Sequence, residues 1–286
     1  MTELIESIAL DDLGALRIRG ADALRFLQGQ VSNDVGRLAA EHCLLAGYHN
    51  PQGRVIALLQ LILVGSNDLL AVLPRELAPL VAGRLAKFIL RAKASVEDAS
   101  ASLHIRGFVG AGADAPARAG AIALARTARE PARWLGIYPA GLSDAASGDR
   151  ERWRRLDVAA GQPQVYARTS EEFIAQMLNL DALDAIAFDK GCYTGQEVIA
   201  RAHYRGRVKR RMQRFVTRTV QELAPGDAGR LADGRSFKVV DAVRQIEGGC
   251  EFLAVAATAV RDEAQAELES HVIEATSLPL PYSLPE

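Results

Sequence analysis

The sequence predicts an α+β protein of several domains that ends in a small antiparallel β-barrel. At 286 residues the chain exceeds the usual size of a single domain, about 100 to 200 residues. Up to about residue 205, alternating strand patterns are interspersed with amphipathic helix patterns. From residue 206 onward, short extended segments are separated by Gly, Asp and Pro turns, which is typical of a small barrel.

Composition indicates an ordinary folded protein, because 49% of the residues are hydrophobic and 24% are charged. The three cysteines are widely separated, which predicts reduced thiols and neither a disulfide framework nor a metal site. The longest apolar run, residues 55–64, is too short to cross a bilayer, and the N-terminus lacks a secretory signal pattern. We therefore expect a cytoplasmic protein with no membrane partner.

The first element is predicted to be a β-hairpin. Residues 4–10 and 15–19 alternate between apolar and polar side chains, as two short strands do. Asp11 and Asp12 mark the turn that joins them.

A short helix and a polar loop follow the hairpin. Asp22 is placed to cap a helix that runs through Gln28 and ends at Gly29. The loop after it contains Asn33 and Asp34. These side chains either line a ligand site or bond to the backbone of their own turn.

Residues 50–134 are predicted to form a small domain of their own. Strands at 43–49 and 54–64 are joined by Asn50-Pro51-Gln52-Gly53, which has the residues that a type I turn favours. An amphipathic helix is predicted over residues 74–90, and further strands over 94–97 and 103–109.

The middle of the chain gives weaker signals. Residues 110–133 carry little periodicity and are predicted to be a connection of poorly defined structure. A strand is predicted over 134–138 and a helix over 151–160. Trp153 on that helix either stacks on a planar ligand ring or belongs to the core.

The densest cluster of chemically active residues lies at 189–197. Thr194 and Glu197 have the spacing of a capping box, which predicts that a helix begins at Thr194. Cys192 then stands just before a helix start and two residues after Lys190, and both positive charges favour the thiolate. The alternative is a structural cysteine in a glycine-bounded turn.

This motif resembles the signature of a known family. Lys190-Gly191-Cys192-Tyr193-Thr194-Gly195-Gln196-Glu197, followed by Ala200-Arg201-Ala202, is similar to the signature of the YgfZ family of folate-binding, tRNA-modifying proteins. The wider relatives of that family are the glycine-cleavage T-protein aminomethyltransferases. The likeness extends to residues 26–35, to residues 173–188 and to the proline-rich tail at 279–284.

The resemblance implies a three-domain α+β ring around a folate-binding channel, with two ferredoxin-like domains and a C-terminal antiparallel β-barrel. A discontinuous first domain is expected at residues 1–49 and 135–205. The second domain is expected at 50–134, inserted into the first, and the barrel at 206–286.

The resemblance also implies a function. The family binds tetrahydrofolate or a derivative of it and supports iron-sulfur enzymes, including those that thiolate tRNA, so its partners are these enzymes or their assembly proteins. Cys192 is expected to be the functional thiol, together with Lys190, and Trp153 to stack on the folate ring. Asn33 and Asp34 are expected at the folate site.

Leu13 departs from the family pattern. It replaces a second aromatic residue that contacts folate in the family, so we expect weaker stacking at this position.

Two other functions are less compatible with the sequence. A folate-dependent aminomethyltransferase carries an acidic pair after the Asn-x-x-Gly turn, but this chain has Ala57-Leu58 there, so no carboxylate is available to act on the one-carbon unit. A nucleophilic Cys192 assisted by His203 is weakly supported by a lone Cys and His. The sequence therefore favours an accessory protein over an enzyme.

The segment from Arg201 to Arg218 holds eight basic residues and no acid. Arg205, Arg207, Lys209 and Arg211 are the predicted contacts for tRNA. The glutamate tail of a polyglutamylated folate is a second candidate ligand, and a solvated face paired with acidic residues is the alternative without a ligand.

Overall fold

The computed structural model describes residues 5–110, 119–128, 131–142, 148–206, 208–218, 222–258 and 272–285. Contacts divide the chain into two compact units. The first consists of Met1–His49, Ile56–Trp153 and Ala185–Thr194, and the second of Asn50–Val55, Arg154–Asp184 and Gly195–Glu286. The predicted division into three domains stays a prediction.

The secondary structure follows the predicted α+β class. The elements of the first half are β1 (Glu6–Ala9), β2 (Leu13–Arg19), α1 (Ala23–Gln28), β3 (Leu44–His49), β4 (Val55–Gly65), β5 (Asp68–Pro74), α2 (Ala78–Ala86), β6 (Ser95–Asp98), β7 (Leu103–Gly110), β8 (Ala123–Ala128) and β9 (Ala132–Pro139). Those of the second half are α3 (Arg150–Ala159), α4 (Gln196–Arg205), β10 (Arg210–Thr217), β11 (Ala228–Leu231), β12 (Ser236–Arg244), β13 (Cys250–Ala257), β14 (Val272–Ile273) and β15 (Thr276–Leu278). Single 3₁₀ turns lie at Val35–Arg37, Arg75–Leu77, Ala167–Thr169 and Ala175–Leu178.

The first unit is built on two sheets. One has the strand order β3-β4-β5-β2-β6 and the other β1-β7-β9-β8. Seven of the eleven residues of β4 and six of the seven of β5 are buried, and the buried residues include neighbours on both faces of these strands. Helix α2 buries Ala78, Val81 and Leu85, and it contacts β2 and β6.

The predicted N-terminal hairpin is wrong. Strand β1 pairs with β7 in one sheet, whereas β2 pairs with β5 and β6 in the other. Alternation identified both strands correctly, but it carries no information about which distant strand each one pairs with.

The region 110–133 is more ordered than its sequence suggested. Strand β8 pairs with β9 in antiparallel register, and the predicted domain border after residue 134 falls inside β9. Residues 111–118 and 129–130 lie outside the described residues. The described part of this region therefore contributes to a sheet and is not only a connection.

The second unit contains the C-terminal sheet, with strand order β14-β11-β12-β13-β10-β15. Its core includes three phenylalanines, and the Phe252 ring centroid lies 5.4 Å from that of Phe215 and 5.8 Å from that of Phe237. Over the described residues the sheet is a curled half-barrel with β14 and β15 at its edges, where the sequence predicted a small antiparallel β-barrel.

The proline-rich tail is anchored inside the second unit. The Tyr282 hydroxyl donates to the Gly161 carbonyl at 2.8 Å and accepts from the Asn179 amide at 3.3 Å. The same amide donates to the Met212 carbonyl at 2.9 Å. Asn179 has a φ of 56°, a left-handed conformation that Asn tolerates better than most residues. The tail is thus an ordered part of this unit.

Within the described part of the chain, no helix is long and apolar enough to cross a membrane.

Candidate functional site

The motif at 189–197 leaves its cysteine open to solvent. Cys192 is exposed, whereas Cys43 is partly buried and Cys250 is buried, and all three thiols are free. Burial raises the pKa of the Cys250 thiol, and it raises the pKa of Cys43 to about 12 although part of that residue reaches the surface. Cys192 is therefore the thiol that a reagent or partner meets first.

The helix after the motif begins later than predicted. Helix α4 starts at Gln196, and its N-cap is Gly195, with a φ of 85° and no capping side chain. The predicted start at Thr194 and its capping box with Glu197 are therefore wrong. A glycine reaches the left-handed conformation without steric cost, so the chain enters the helix through Gly195.

Lys190 is held by three backbone carbonyls. Its ammonium nitrogen lies 2.7 Å from the oxygens of Gln28 and Val31 and 2.8 Å from that of Asn33. Three N–H donors meet three acceptors, which is the complete donor capacity of an ammonium group. We call these three carbonyls and the lysine the carbonyl cradle. It ties the motif to the loop that holds Asn33 and Asp34.

The cradle sets the electrostatics of Lys190. Burial lowers the pKa of Lys190 to about 8, and attraction to the Asp34 carboxylate opposes that shift. The ammonium also lies 5.1 Å from the centroid of the Tyr193 ring, within cation–π range. At neutral pH the lysine remains charged, and it acts as an anchor for the residues on either side of Cys192.

Asn33 and Asp34 bond to their own loop. The buried Asn33 amide donates to the Leu45 carbonyl at 2.7 Å. The Asp34 carboxylate accepts from the Gly36 N–H and from the Gln28 side chain, both at 2.9 Å. Local bonding in the turn, the alternative reading of this loop, describes the observed contacts. Asp34 keeps a second role, because it also lines a pocket.

That pocket, which we call the loop pocket, has a volume of about 340 Å³ and lies in the first unit. The volume is near the lower end of the range for small-molecule sites. Its lining is mostly apolar, with a few polar groups, and includes Leu24, Val35, Leu38, Leu63, Gln28 and Asp34.

Tyr193 is the buried aromatic residue of the motif, and its ring lies near the ring of His49. Both are buried, and their ring centroids are 6.3 Å apart. Burial raises the pKa of Tyr193 to about 12 and lowers that of His49 to about 3. Within the described residues neither His49 ring nitrogen has a hydrogen-bond partner. A Cβ on Gly47 would lie 2.3 Å from the imidazole, so only glycine fits there.

Trp153 is packed into the first unit. It is 5% exposed, and the Arg133 guanidinium carbon lies 5.3 Å from its ring centroid. A Cβ on Gly107 would come within 2.4 Å of the ring, so the indole packs directly on strand β7. In this structure Trp153 has the packing of a core tryptophan and offers little surface for a stacked ligand.

Leu13 begins β2, where it pairs with Pro74 of β5. Its N–H donates to the Leu10 carbonyl at 3.1 Å, and the Leu10 side chain approaches Gly107 from β1's end of the sheet. The structure therefore places Leu13 at the start of β2 and Trp153 against β7. The other predicted site residues, Lys190, Asn33 and Asp34, come together elsewhere in the first unit, at the carbonyl cradle.

The basic segment divides into paired and exposed charges. Arg211 is 6% exposed and makes a bidentate pair with Asp181, each N···O distance being 2.9 Å. Its predicted role as a tRNA contact is therefore wrong, because a buried, paired guanidinium cannot reach a phosphate. Arg205 and Lys209 are exposed, and Arg207 lies outside the described residues.

Comparison with known proteins identifies the family. No family model matches the chain. The tRNA-modifying protein YgfZ of Edwardsiella ictaluri is 33% identical over 312 residues, which covers 96% of this chain and 91% of that protein. The chain belongs to the YgfZ family. An uncharacterized protein of Haemophilus influenzae is 31% identical over 284 residues, covering 98% of this chain and 99% of the relative.

A solved structure supports the fold. The crystal structure of the glycine cleavage system aminomethyltransferase T from Bartonella henselae matches with a TM-score of 0.67 over 88% of this chain and 78% of that chain. At 12% sequence identity this likeness shows the fold alone. The chain thus has an α+β fold similar to that of the transferase.

Sequence reasoning missed His49 as a member of the site. A single histidine at the end of an apolar strand is usually a core residue, and no local pattern distinguishes it. Its ring contact with Tyr193 depends on a pairing of distant segments, which no local pattern in the sequence indicates.

Proposed function

We propose that this member of the YgfZ family is an accessory factor in tRNA modification, which binds tetrahydrofolate or a derivative and presents Cys192 to an iron-sulfur enzyme or its assembly partner. The observation that carries the proposal is the near full-length similarity to proteins named tRNA-modifying protein YgfZ. The exposed Cys192 beside an anchored Lys190 supports the assignment of the thiol. A role for the protein as a non-catalytic factor, and its three-domain ring, belong to the same proposal.

Each residue of the motif has a distinct part in this proposal. The carbonyl cradle fixes Lys190, and the buried Tyr193 ring fixes the chain on the other side of Cys192. The thiol is therefore displayed on a short segment held at both of its neighbouring side chains. Such a display suits a residue that must meet a second protein, since little ordering is left to be done on contact.

Folate is the ligand that the family resemblance implies. As folded here, Trp153 does not fit the role of an open stacking surface, because its ring is in contact with Arg133 and Gly107. No step of the proposal is therefore assigned to Trp153. The loop pocket contains Asp34 and is the alternative location for a ligand.

The aminomethyltransferase alternative gains no support from the site. Ala57 and Leu58 stand in β4 and are buried in the core, where the transferase pattern has acidic residues. A carboxylate that could accept a proton from the one-carbon unit is missing at these positions.

Complementation tests the proposal. A strain that lacks its own YgfZ protein is given wild type, Cys192→Ser or the matched control Cys43→Ser, and thiolated nucleosides in total tRNA are measured by mass spectrometry. We expect wild type and Cys43→Ser to restore the thiolated nucleosides and Cys192→Ser to fail. Equal restoration by all three proteins would refute the role of the thiol.

Calorimetric titration with tetrahydrofolate tests the ligand separately. Asp34→Asn should weaken binding if the loop pocket is the site, and Trp153→Phe should weaken it if the indole contacts the pterin. Heat of binding that does not saturate at millimolar tetrahydrofolate would refute the ligand assignment.

A further inference from the structure

We infer that the exposed face of helix α4 binds an unpaired nucleotide of tRNA, with Tyr204 stacking on the base and Arg201 and Arg205 contacting the flanking phosphates. RNA as the ligand rests on the proposed function in tRNA modification. Direct contact between helix α4 and RNA goes beyond the proposed function, because an accessory factor can act on its client enzyme without touching RNA.

The helix places these three side chains together. Residues three and four apart are neighbours on a helix surface, so Tyr204 and Arg205 both lie beside Arg201. The opposite side of the helix carries its buried residue, Ile199, which packs into the second unit. The three side chains therefore share the face that points to solvent.

Exposure distinguishes Tyr204 from the other aromatic residues near it. Tyr204 is 68% exposed, a large aromatic surface to leave in water. His203 contacts the ring edge-on, with the centroids 4.8 Å apart and the planes at 77°, which restricts the orientation of the ring. Since every base has a π-face, an exposed ring of this kind is a platform for an unpaired base.

Most of the positive charges of the basic segment that are not paired within the described part of the protein lie on or next to the exposed face of helix α4. Arg210, Arg211 and Arg214 donate to Ser236, Asp181 and Glu251 respectively, so these cations are committed to the protein. By contrast Arg201, Arg205 and Lys209 are exposed, and within the described residues no ion pair involves them.

Two local negative charges disfavour a phosphate at this face of helix α4, and each is smaller than the positive charge that attracts it. The helix C-terminus carries about half a negative charge, against two guanidinium groups and the Lys209 ammonium. Glu197 lies on the same face one turn before Arg201, which disfavours a phosphate at the start of the helix. Phosphates are therefore expected near the last turn, beside Arg205.

The combination fits a looped nucleotide better than a duplex. Bases inside a duplex are already stacked on each other, so a protein ring can only stack on a base that is splayed out. A polyglutamate tail would use the arginines but has no planar ring to pair with Tyr204. The contribution of Tyr204 therefore separates these two ligands.

Binding measurements test the proposal. An unmodified, fluorescently labelled tRNA transcript is titrated with wild type, Tyr204→Phe, Tyr204→Leu, Arg201→Gln and Arg205→Gln, over a series of salt concentrations. The matched control is Arg218→Gln, which removes one exposed charge roughly 30 Å away from Lys209, at the far end of β10. Circular dichroism checks that each variant is folded.

We expect Tyr204→Phe to bind as wild type and Tyr204→Leu to lose about 5-fold to 150-fold in affinity, the range for one base stacked on an aromatic ring. Each arginine variant should reduce the slope of log affinity against log salt by about 0.7 to 0.9. Arg218→Gln should leave the slope unchanged. A fully paired RNA duplex should show no difference between Tyr204→Leu and wild type.

Several results would overturn the proposal. One is that wild type fails to bind the transcript at low salt, and another is that the helix variants bind like Arg218→Gln. A third is that folate triglutamate displaces the transcript and binds Tyr204→Leu as tightly as wild type, since the face would then serve the folate tail. None of these results bears on the Cys192 complementation, so the proposed function fails or stands independently.

Discussion

His49 is expected to make the stability of the first unit depend on pH below neutrality. Burial lowers its pKa to about 3, whereas a histidine in an unfolded chain has a pKa near 6.5. Between these values the unfolded state binds a proton that the folded state does not, so acidification favours unfolding. The contribution of the neutral His49 to the stability of the folded state is complete above pH 6.5, and it is lost as the pH falls toward 3.

The magnitude follows from the two pKa values. Protonation of the unfolded state alone changes the free energy by about 1.4 kcal/mol per pH unit well below 6.5. From pH 7.5 to pH 4.5 the expected loss is about 2.6 kcal/mol. Burial is the larger of the two influences on the imidazole, and the Gly47 backbone, which favours its charged form, offsets only part of that effect.

Urea unfolding followed by tryptophan fluorescence measures this loss in the right part of the molecule, because Trp134 and Trp153 both belong to the first unit. Wild type and His49→Leu are compared at pH 7.5 and pH 4.5, so that carboxylates common to both proteins cancel. We expect wild type to lose about 2.6 kcal/mol more than the variant between the two values. An equal loss in both proteins would show that His49 is charged or solvated in the folded state.

Three further predictions concern single interactions. Iodoacetamide at pH 8 should label Cys192 first, and it should label Cys43 about 10³ times more slowly than a free cysteine, since a thiol with a pKa of about 12 is almost never ionised there. Asp181→Ala should lower the free energy of unfolding by about 3 to 5 kcal/mol in a thermal melt, because it leaves the buried Arg211 charge unpaired. Lys190→Met should lower that free energy by at least about 1.5 kcal/mol and speed hydrogen exchange in the loop whose carbonyls it holds.

Each of these predictions has a control. Cys192→Ser identifies the labelled peptide in the first. Asp233→Ala breaks the more exposed pair with Arg235 and should cost under about 1 kcal/mol. Lys190→Arg keeps the charge but has a planar donor group, so it should not restore the three bonds. Fast labelling of Cys43, equal costs at Asp181 and Asp233, or unchanged exchange in Lys190→Met would contradict the respective argument.

Local chemistry was readable from the sequence. The turn Asn50-Pro51-Gln52-Gly53 forms as predicted, with the Gly53 N–H donating to the Asn50 carbonyl at 2.9 Å and a Gly53 φ of 73°. The conformational needs of four consecutive residues decide such a turn, so neighbours alone suffice. The exposure of Cys192 is consistent with its polar, glycine-bounded surroundings.

Pairings between distant residues were not readable. Arg211 appeared in a run of basic residues, but Asp181, thirty positions earlier, neutralises it in the buried pair. In the same way Lys190 looked like a neighbour for the thiol, whereas its ammonium is directed to carbonyls about 160 residues away along the chain. Charge patterns in sequence show where cations are, and only the fold shows which of them remain free.

The anchored tail has a consequence for synthesis. The Tyr282 hydroxyl meets a carbonyl 121 residues earlier, at Gly161. At about 5 to 20 residues per second, Gly161 leaves the peptidyl-transferase centre roughly 6 to 24 s before its partner is made. The chain of the first unit is complete at Thr194, so that unit has time to fold during translation, while the second must wait for Tyr282. Ribosome-bound chains halted before residue 282 should therefore carry a protease-resistant first unit and a protease-sensitive second one.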